Sequence, residues 1–135
     1  MPSQPHKHEV LFEGLRDDEI LLLPRQIVEQ LILLGEPIVF RAGSATILGS
    51  FKICSDRLVI ELAQIEGGGE GVLMSLGSLA TRYAKLHGFV AAEWIVHAVN
   101  CAKPNLKLRR VLERRGFKVE NVEGIGQAYR FLDSI

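Results

Sequence analysis

The residues 66–71 read Glu66-Gly67-Gly68-Gly69-Glu70-Gly71, so four of the five positions from 67 to 71 are glycine. Glycine accepts positive φ and leaves room for close backbone approach. Between a strand and a helix, such a loop aims several N–H groups at one point, where the helix dipole adds partial positive charge. That is a cradle for a phosphate or pyrophosphate. It is not a Walker A loop, because Val72 and Leu73 follow Gly71 where Lys and Ser or Thr are required. Nor is it GxGxxG: counted from Gly67 the last position is Val72, and from Gly69 it is Met74. ATP and NAD are therefore poorly supported. Glu66 and Glu70 place negative charge at the cradle, so a phosphate would have to be held by backbone groups. The competing reading is a turn that holds no ligand.

Upstream, Glu61 and Gln64 interrupt a near-continuous apolar run from Leu58 to Ile65. A carboxylate in such a strand is a candidate general base, or a structural partner for Arg41 or Arg130. Gln64 could orient a water or an acceptor. His97 and Cys101 fall on or just after the next strand. An imidazole there could move a proton, although a hydrogen-bonded structural histidine is the commoner case. Cys101 has no placed Asp or Asn to complete a nucleophilic arrangement. Tyr83 and Trp94 read as packing residues, and Tyr129 as a distant candidate acid. No cluster has metal-ligand spacing.

These groups need elements to position them. Glu9 to Leu15 reads as a first strand. Pro24 starts a helix of about ten to twelve residues, with Ile27, Val28, Leu31, Ile32 and Leu34 on one stripe and Gly35 as its cap. Pro37–Ala42, Ser44–Cys54 and Leu58–Ile65 are strands, turned at Gly43 and at Ser55-Asp56. A helix with Val72, Leu73, Leu76, Leu79, Ala80, Tyr83 and Ala84 inward then runs to Gly88. Phe89–Val99 is a strand. Pro104-Asn105 opens a helix that Gly116 caps. Lys118–Val122 and Gln127–Leu132 form a closing hairpin. This order implies an α+β, sandwich-like fold: a mixed, mostly antiparallel sheet of six to seven strands with about three helices on its faces.

The 135 residues carry 16 Lys+Arg and 16 Asp+Glu, 47% hydrophobic and 24% charged residues. The balance argues against a broad nucleic-acid surface, and the composition is that of a folded domain. We expect a tail at 1–8 and one domain over 9–135. Two cysteines cannot make a disulfide framework. No apolar stretch approaches the roughly 20 residues needed to span a bilayer. The expectation is a soluble cytoplasmic protein. A homodimer through the C-terminal strands is one further expectation, because an exposed edge favours strand pairing.

The chain also resembles the GNAT superfamily of N-acetyltransferases, as a divergent member. In that family a central strand leads through [Arg/Gln]-x-x-Gly-x-[Gly/Ala] into a helix, matched here by Glu66-Gly67-Gly68-Gly69-Glu70-Gly71. Further on comes Asn-x-x-(small or apolar)-x-x-x-Tyr-x-x-x-Gly-Phe, matched by Asn105, Leu108, Leu112 and Gly116-Phe117. The resemblance covers about residues 37–132. It implies transfer of an acetyl group from acetyl-CoA to an amine or protein acceptor, with Glu61 as base. It implies that the central and following strands splay to admit the pantetheine arm. Ile65 would contact that arm, Gly67, Gly68, Gly69, Glu70, Gly71 and Val72 the pyrophosphate, and Asn105 the far side of CoA. Arg109 and Arg110 would lie near the ribose phosphate or on a solvated helix face. Leu112 stands where the family's tyrosine protonates the thiolate, and Glu66 where Arg or Gln is usual. Those departures support the alternative of a non-catalytic, protein-binding module of the same fold, such as a regulator, antitoxin or immunity-type partner.

Overall fold

A computed structural model describes residues 10–12, 14–67, 71–99 and 105–135. The expected tail, Gly68, Gly69, Glu70, Cys101 and Pro104 lie outside the described residues. The elements run β1 Val10–Phe12, β2 Leu15–Arg16, α1 Asp17–Leu22, α2 Arg25–Leu31, β3 Ile38–Ala42, β4 Ala45–Cys54, β5 Arg57–Glu66, α3 Gly71–Leu86, β6 Ala91–Val96, α4 Leu106–Arg114, β7 Lys118–Val122 and β8 Gly126–Ser134. Among the described residues no helix is long and apolar enough to cross a membrane.

The α+β class holds, with eight strands and four helices where six to seven and three were expected. The extra elements are at the N-terminal end. Gly14, at φ +80°, folds the first strand into a β1–β2 hairpin. Pro24 divides the following apolar run in two. It pushes Leu23 into an extended conformation (ψ 147°), which ends α1. Pro24 is then the N-cap of α2. The expected helix stops at Leu31, and Gly35 docks instead, donating its N–H to the Phe51 carbonyl (2.8 Å). The two later helices end as expected. Phe89 N–H reaches Ala84 O (2.9 Å) past Gly88, and Phe117 N–H reaches Leu112 O (3.0 Å) past Gly116, both glycines having positive φ.

All eight strands form one sheet in the order β2-β1-β3-β4-β5-β6-β8-β7. Neighbours are antiparallel except β5 and β6, whose parallel pairing requires the α3 crossover. Leu58, Ile60 and Leu62 of β5, with Ala92, Trp94 and Val96 of β6, point to one face. There they share a core with Ile20, Val28, Leu76 and Leu112 from the four helices. Phe12, Phe40 and Phe51 stack beside them, with ring centroids 4.4–5.3 Å apart. The opposite face carries a smaller cluster of Val59, Ile95 and Ala128, to which no described helix contributes.

Two positions expose how tightly this frame is set. Gly49 sits opposite an irregularity in the β4–β5 ladder, and a Cβ there would lie 2.9 Å from Glu61 O and 3.1 Å from Leu62 Cδ2. Gly77, inside α3, has room: its Cβ would meet Arg115 at an ordinary 3.7 Å. Gly49→Ala is therefore expected to destabilise the fold by about 1–3 kcal/mol. Gly77→Ala is expected to stabilise it by about 0.4–1 kcal/mol. Urea unfolding of both variants checks the opposite signs.

A second expectation concerns pH. His87 packs against Tyr83 in a tilted ring contact, with centroids 4.4 Å apart, and both His87 Nε2 and Tyr83 Oη are buried without a hydrogen-bond partner. Burial, aided by Arg25 and opposed by Glu29, lowers the His87 pKa from its ordinary 6.5. The folded protein thus binds this proton less readily than the unfolded chain. Its contribution to stability is unaffected above pH 6.5 and is lost as pH falls from there through the folded value. Melting temperature should drop over that window, and His87→Gln should flatten the drop.

Candidate functional site

The site begins where two parallel strands part. β5 and β6 pair from Arg57↔Ala91 to Leu62↔Val96. One more bond, from His97 N–H to Leu62 O (2.9 Å), ends the ladder. β5 continues to Glu66 paired with β4, while β6 stops at Val96, three residues short of the strand end expected at Val99. The ladder between them thus ends at the level where the family resemblance implies a splay. Just beyond the parting point, Leu62 pairs with Gly49 and Gln64 with Leu48, leaving Ala63 as an extra residue. This bulge changes the alternation. It lets Ile65 follow Leu62 onto the helix-covered face, where Ile65 packs against the core. Glu61, Gln64 and Glu66 share the other face.

The strand then enters the glycine loop. Gly67 has φ +77°, and a Cβ on it would lie 3.2 Å from Ser44 O, so glycine is required on both counts. Gly71 opens α3, Val72 is buried in the core, and Ser75 Oγ donates to Gly71 O (2.8 Å). Glu66 is engaged sideways: Gln64 Nε2 donates to its Oε1 at 2.6 Å.

At the parting point Glu61 Oε2 and His97 Nε2 lie 2.8 Å apart, each side chain about 30% exposed. An ionised Glu61 requires the proton on Nε2, so the pair fixes the tautomer of the ring. Neither arginine weighed as a structural partner takes this role. Arg130 Nε donates to Glu93 Oε2 (2.7 Å), and its Nη1 reaches Glu120 Oε2 (3.4 Å). The bond to Glu93 outweighs burial and raises the Arg130 pKa above its already high ordinary value. Arg57 Nε lies 3.0 Å from the other oxygen of Glu93, an ion pair without hydrogen-bond alignment. Glu61 is also less enclosed than its apolar neighbours suggest, because Ile60 and Leu62 face the helices and it does not.

The α4 side closes the site. Asn105 Oδ1 accepts the Leu108 N–H (3.0 Å) and caps α4. Arg109 is turned back onto the chain: its Nε donates to Ala98 O (2.6 Å) and its Nη2 to Val99 O (2.8 Å). Arg110 is exposed. Leu112 is fully buried. Tyr129 lies on the helix-covered face, opposite Val96, and its hydroxyl donates to Glu113 Oε1 (2.9 Å). Burial and then Glu113 raise its pKa. Tyr83 and Trp94 are core residues, as expected. Sequence reasoning missed Gly49 and the role of Arg109. A glycine inside a strand pattern is itself a bulge signal, whereas nothing local marks Arg109.

No protein-family model and no curated protein matches this chain. Among solved structures it is similar to the PaiA N-acetyltransferase from Thermoplasma acidophilum in complex with coenzyme A, at 18% identity and a TM-score of 0.46. The match covers 81% of this chain and 66% of that one, just under two thirds of its length.

The charged cluster beside the site yields its own expectation. Glu93 is the one buried charged residue among those described, and it joins both arginines. Glu93→Ala strands two partly exposed guanidinium groups and should cost about 2 kcal/mol. Glu120→Ala, at the exposed end of the cluster, should cost no more than about 0.5 kcal/mol. Chemical denaturation of the two variants measures the difference.

Proposed function

We propose that this protein is an acyl-CoA-dependent N-acyltransferase that moves an acetyl group from acetyl-CoA to an amine. The observation that carries the reading is the parting of β5 and β6 at the Glu61–His97 pair, next to the glycine loop that opens α3. The donor set suits CoA. Beyond Leu62 the β6-facing edge of β5 offers main-chain groups to the amides of the pantetheine arm, in the manner of an added strand. The arm would run along Ala63 to Glu66, in contact with Ile65. The backbone from Gly67 to Val72 and the α3 dipole would hold the pyrophosphate. The Gln64–Glu66 bond, on the face away from the helices, draws one carboxylate aside. Asn105, at the start of α4, lines the far side.

Bound acetyl-CoA supplies an acetyl group activated as a thioester. The chain's own task is to deliver a neutral amine. Glu61 accepts the proton of the acceptor ammonium, directly or through one water, and the His97 N–H steadies the carboxylate in position. With Leu112 at the position of the family's tyrosine, no hydroxyl on that turn of α4 can return a proton, so water serves that step.

A non-catalytic, partner-binding role is the second reading. It is favoured by buried Leu112 and by Leu22, Ile27, Leu31 and Leu34, which leave large aliphatic surface exposed around α1 and α2. Calorimetry with CoA and acetyl-CoA, followed by an acetyl-transfer assay on a panel of amines, separates the two. The enzyme reading expects binding, turnover, and a loss in kcat of about 10²-fold or more in Glu61→Gln. Absence of binding at millimolar CoA sinks it. Turnover and pH profile unchanged in Glu61→Gln would remove Glu61 from the base role. Gly69→Trp, which burdens the loop with an indole, should abolish CoA binding.

A further inference from the structure

Two strands that part leave carbonyl groups without the neighbour they had. On the β6 side these belong to Ala98 and Val99, the residues after the last rung at His97. In an extended continuation of β6 successive carbonyls point to opposite edges, so one of them would re-pair with β5, which would close the cleft, and the other would turn to water or β8. Arg109 forestalls both. Its guanidinium presents two N–H groups as a fork and takes both carbonyls, at 2.6 and 2.8 Å. The arginine comes from the first turns of α4, a helix already anchored by Val111 and Leu112 in the core. The segment after β6 is thereby tied to α4 rather than to β5. The match is specific, because a lysine has one nitrogen and no fork.

We propose that Arg109 is the positioning residue of the cofactor cleft: it holds residues 98–99 on α4 and so keeps the β6-facing edge of β5 open to CoA. This rests on the N-acyltransferase reading for its ligand but not for its geometry. It also accounts for an arginine whose guanidinium is spent on two main-chain carbonyls.

The test uses full-length Arg109→Lys and Arg109→Met with two readouts. The first is amide hydrogen exchange without ligand. The His97 amide, the last rung, should exchange about tenfold faster or more in Arg109→Met, while amides of the β3–β4 ladder keep their rates. The second is calorimetry with CoA, where affinity should fall about tenfold in Arg109→Met and by an intermediate factor in Arg109→Lys. In turnover, the loss should appear in KM for acetyl-CoA with kcat little changed. Unchanged His97 exchange overturns the proposal, as does equal acceleration in β3–β4, which marks general loosening. CoA affinity equal to the parent's overturns it too. If the parent binds no CoA, the acyltransferase reading fails, and the exchange result alone decides whether Arg109 holds the cleft.

Discussion

The hydrogen bond from His97 N–H to Leu62 O marks the last point at which β5 and β6 behave as one ladder. Below it the two strands share a continuous core face; above it they follow separate courses. β5 keeps β4, its partner on the other edge throughout, and takes an extra residue at Ala63. The segment after β6 finds Arg109. Glu61 and His97 meet across the gap at this level, since Glu61 pairs with Ile95 and His97 follows two residues later on the same face. The arrangement explains why Gly49 tolerates no side chain. It lies where β4 must pass closest to the Glu61–Leu62 backbone for the bulge to form.

The sheet divides its chemistry by face. Helices cover one side with an aliphatic and aromatic core. The other side relies on long side chains, with Glu93 drawn between Arg57 and Arg130 over the small Val59–Ile95–Ala128 cluster. The outer strand β7 carries Lys118 and Glu120 and is largely exposed. Charges on an edge strand blunt its pairing with another chain, which weakens the physical case for a dimer through that edge.

Much of this was legible in the sequence because it rests on local rules. Gly43, Gly88 and Gly116 mark turns and helix ends where they were expected, and Asn105 opens α4. The apolar face of α3 from Val72 to Ala84 is the buried face. The N-terminal helices were less legible, since the stripe after Pro24 reads as one helix and Asp17–Leu22 before it reads as no element. The end of β6 was not legible at all. Phe89 to Val99 has strand composition throughout, and only the departure of β5 decides where pairing stops. Glu61 could be singled out by its apolar neighbours, but its partner could not be chosen. The three candidate groups are separated along the chain, and register alone brings His97 within reach.

The parallel β5–β6 pair also sets an order on how the molecule is assembled. β4 and β5 are joined by the short Ser55-Asp56 turn and can zip together locally. β6 can reach β5 only after the whole of α3 has been laid across the sheet, and such non-local pairing forms late. The cleft is bounded by that ladder and by α4, which follows it in the chain. The region that would hold a ligand therefore depends on contacts made over a much longer span of chain than the local β3–β4–β5 meander beside it.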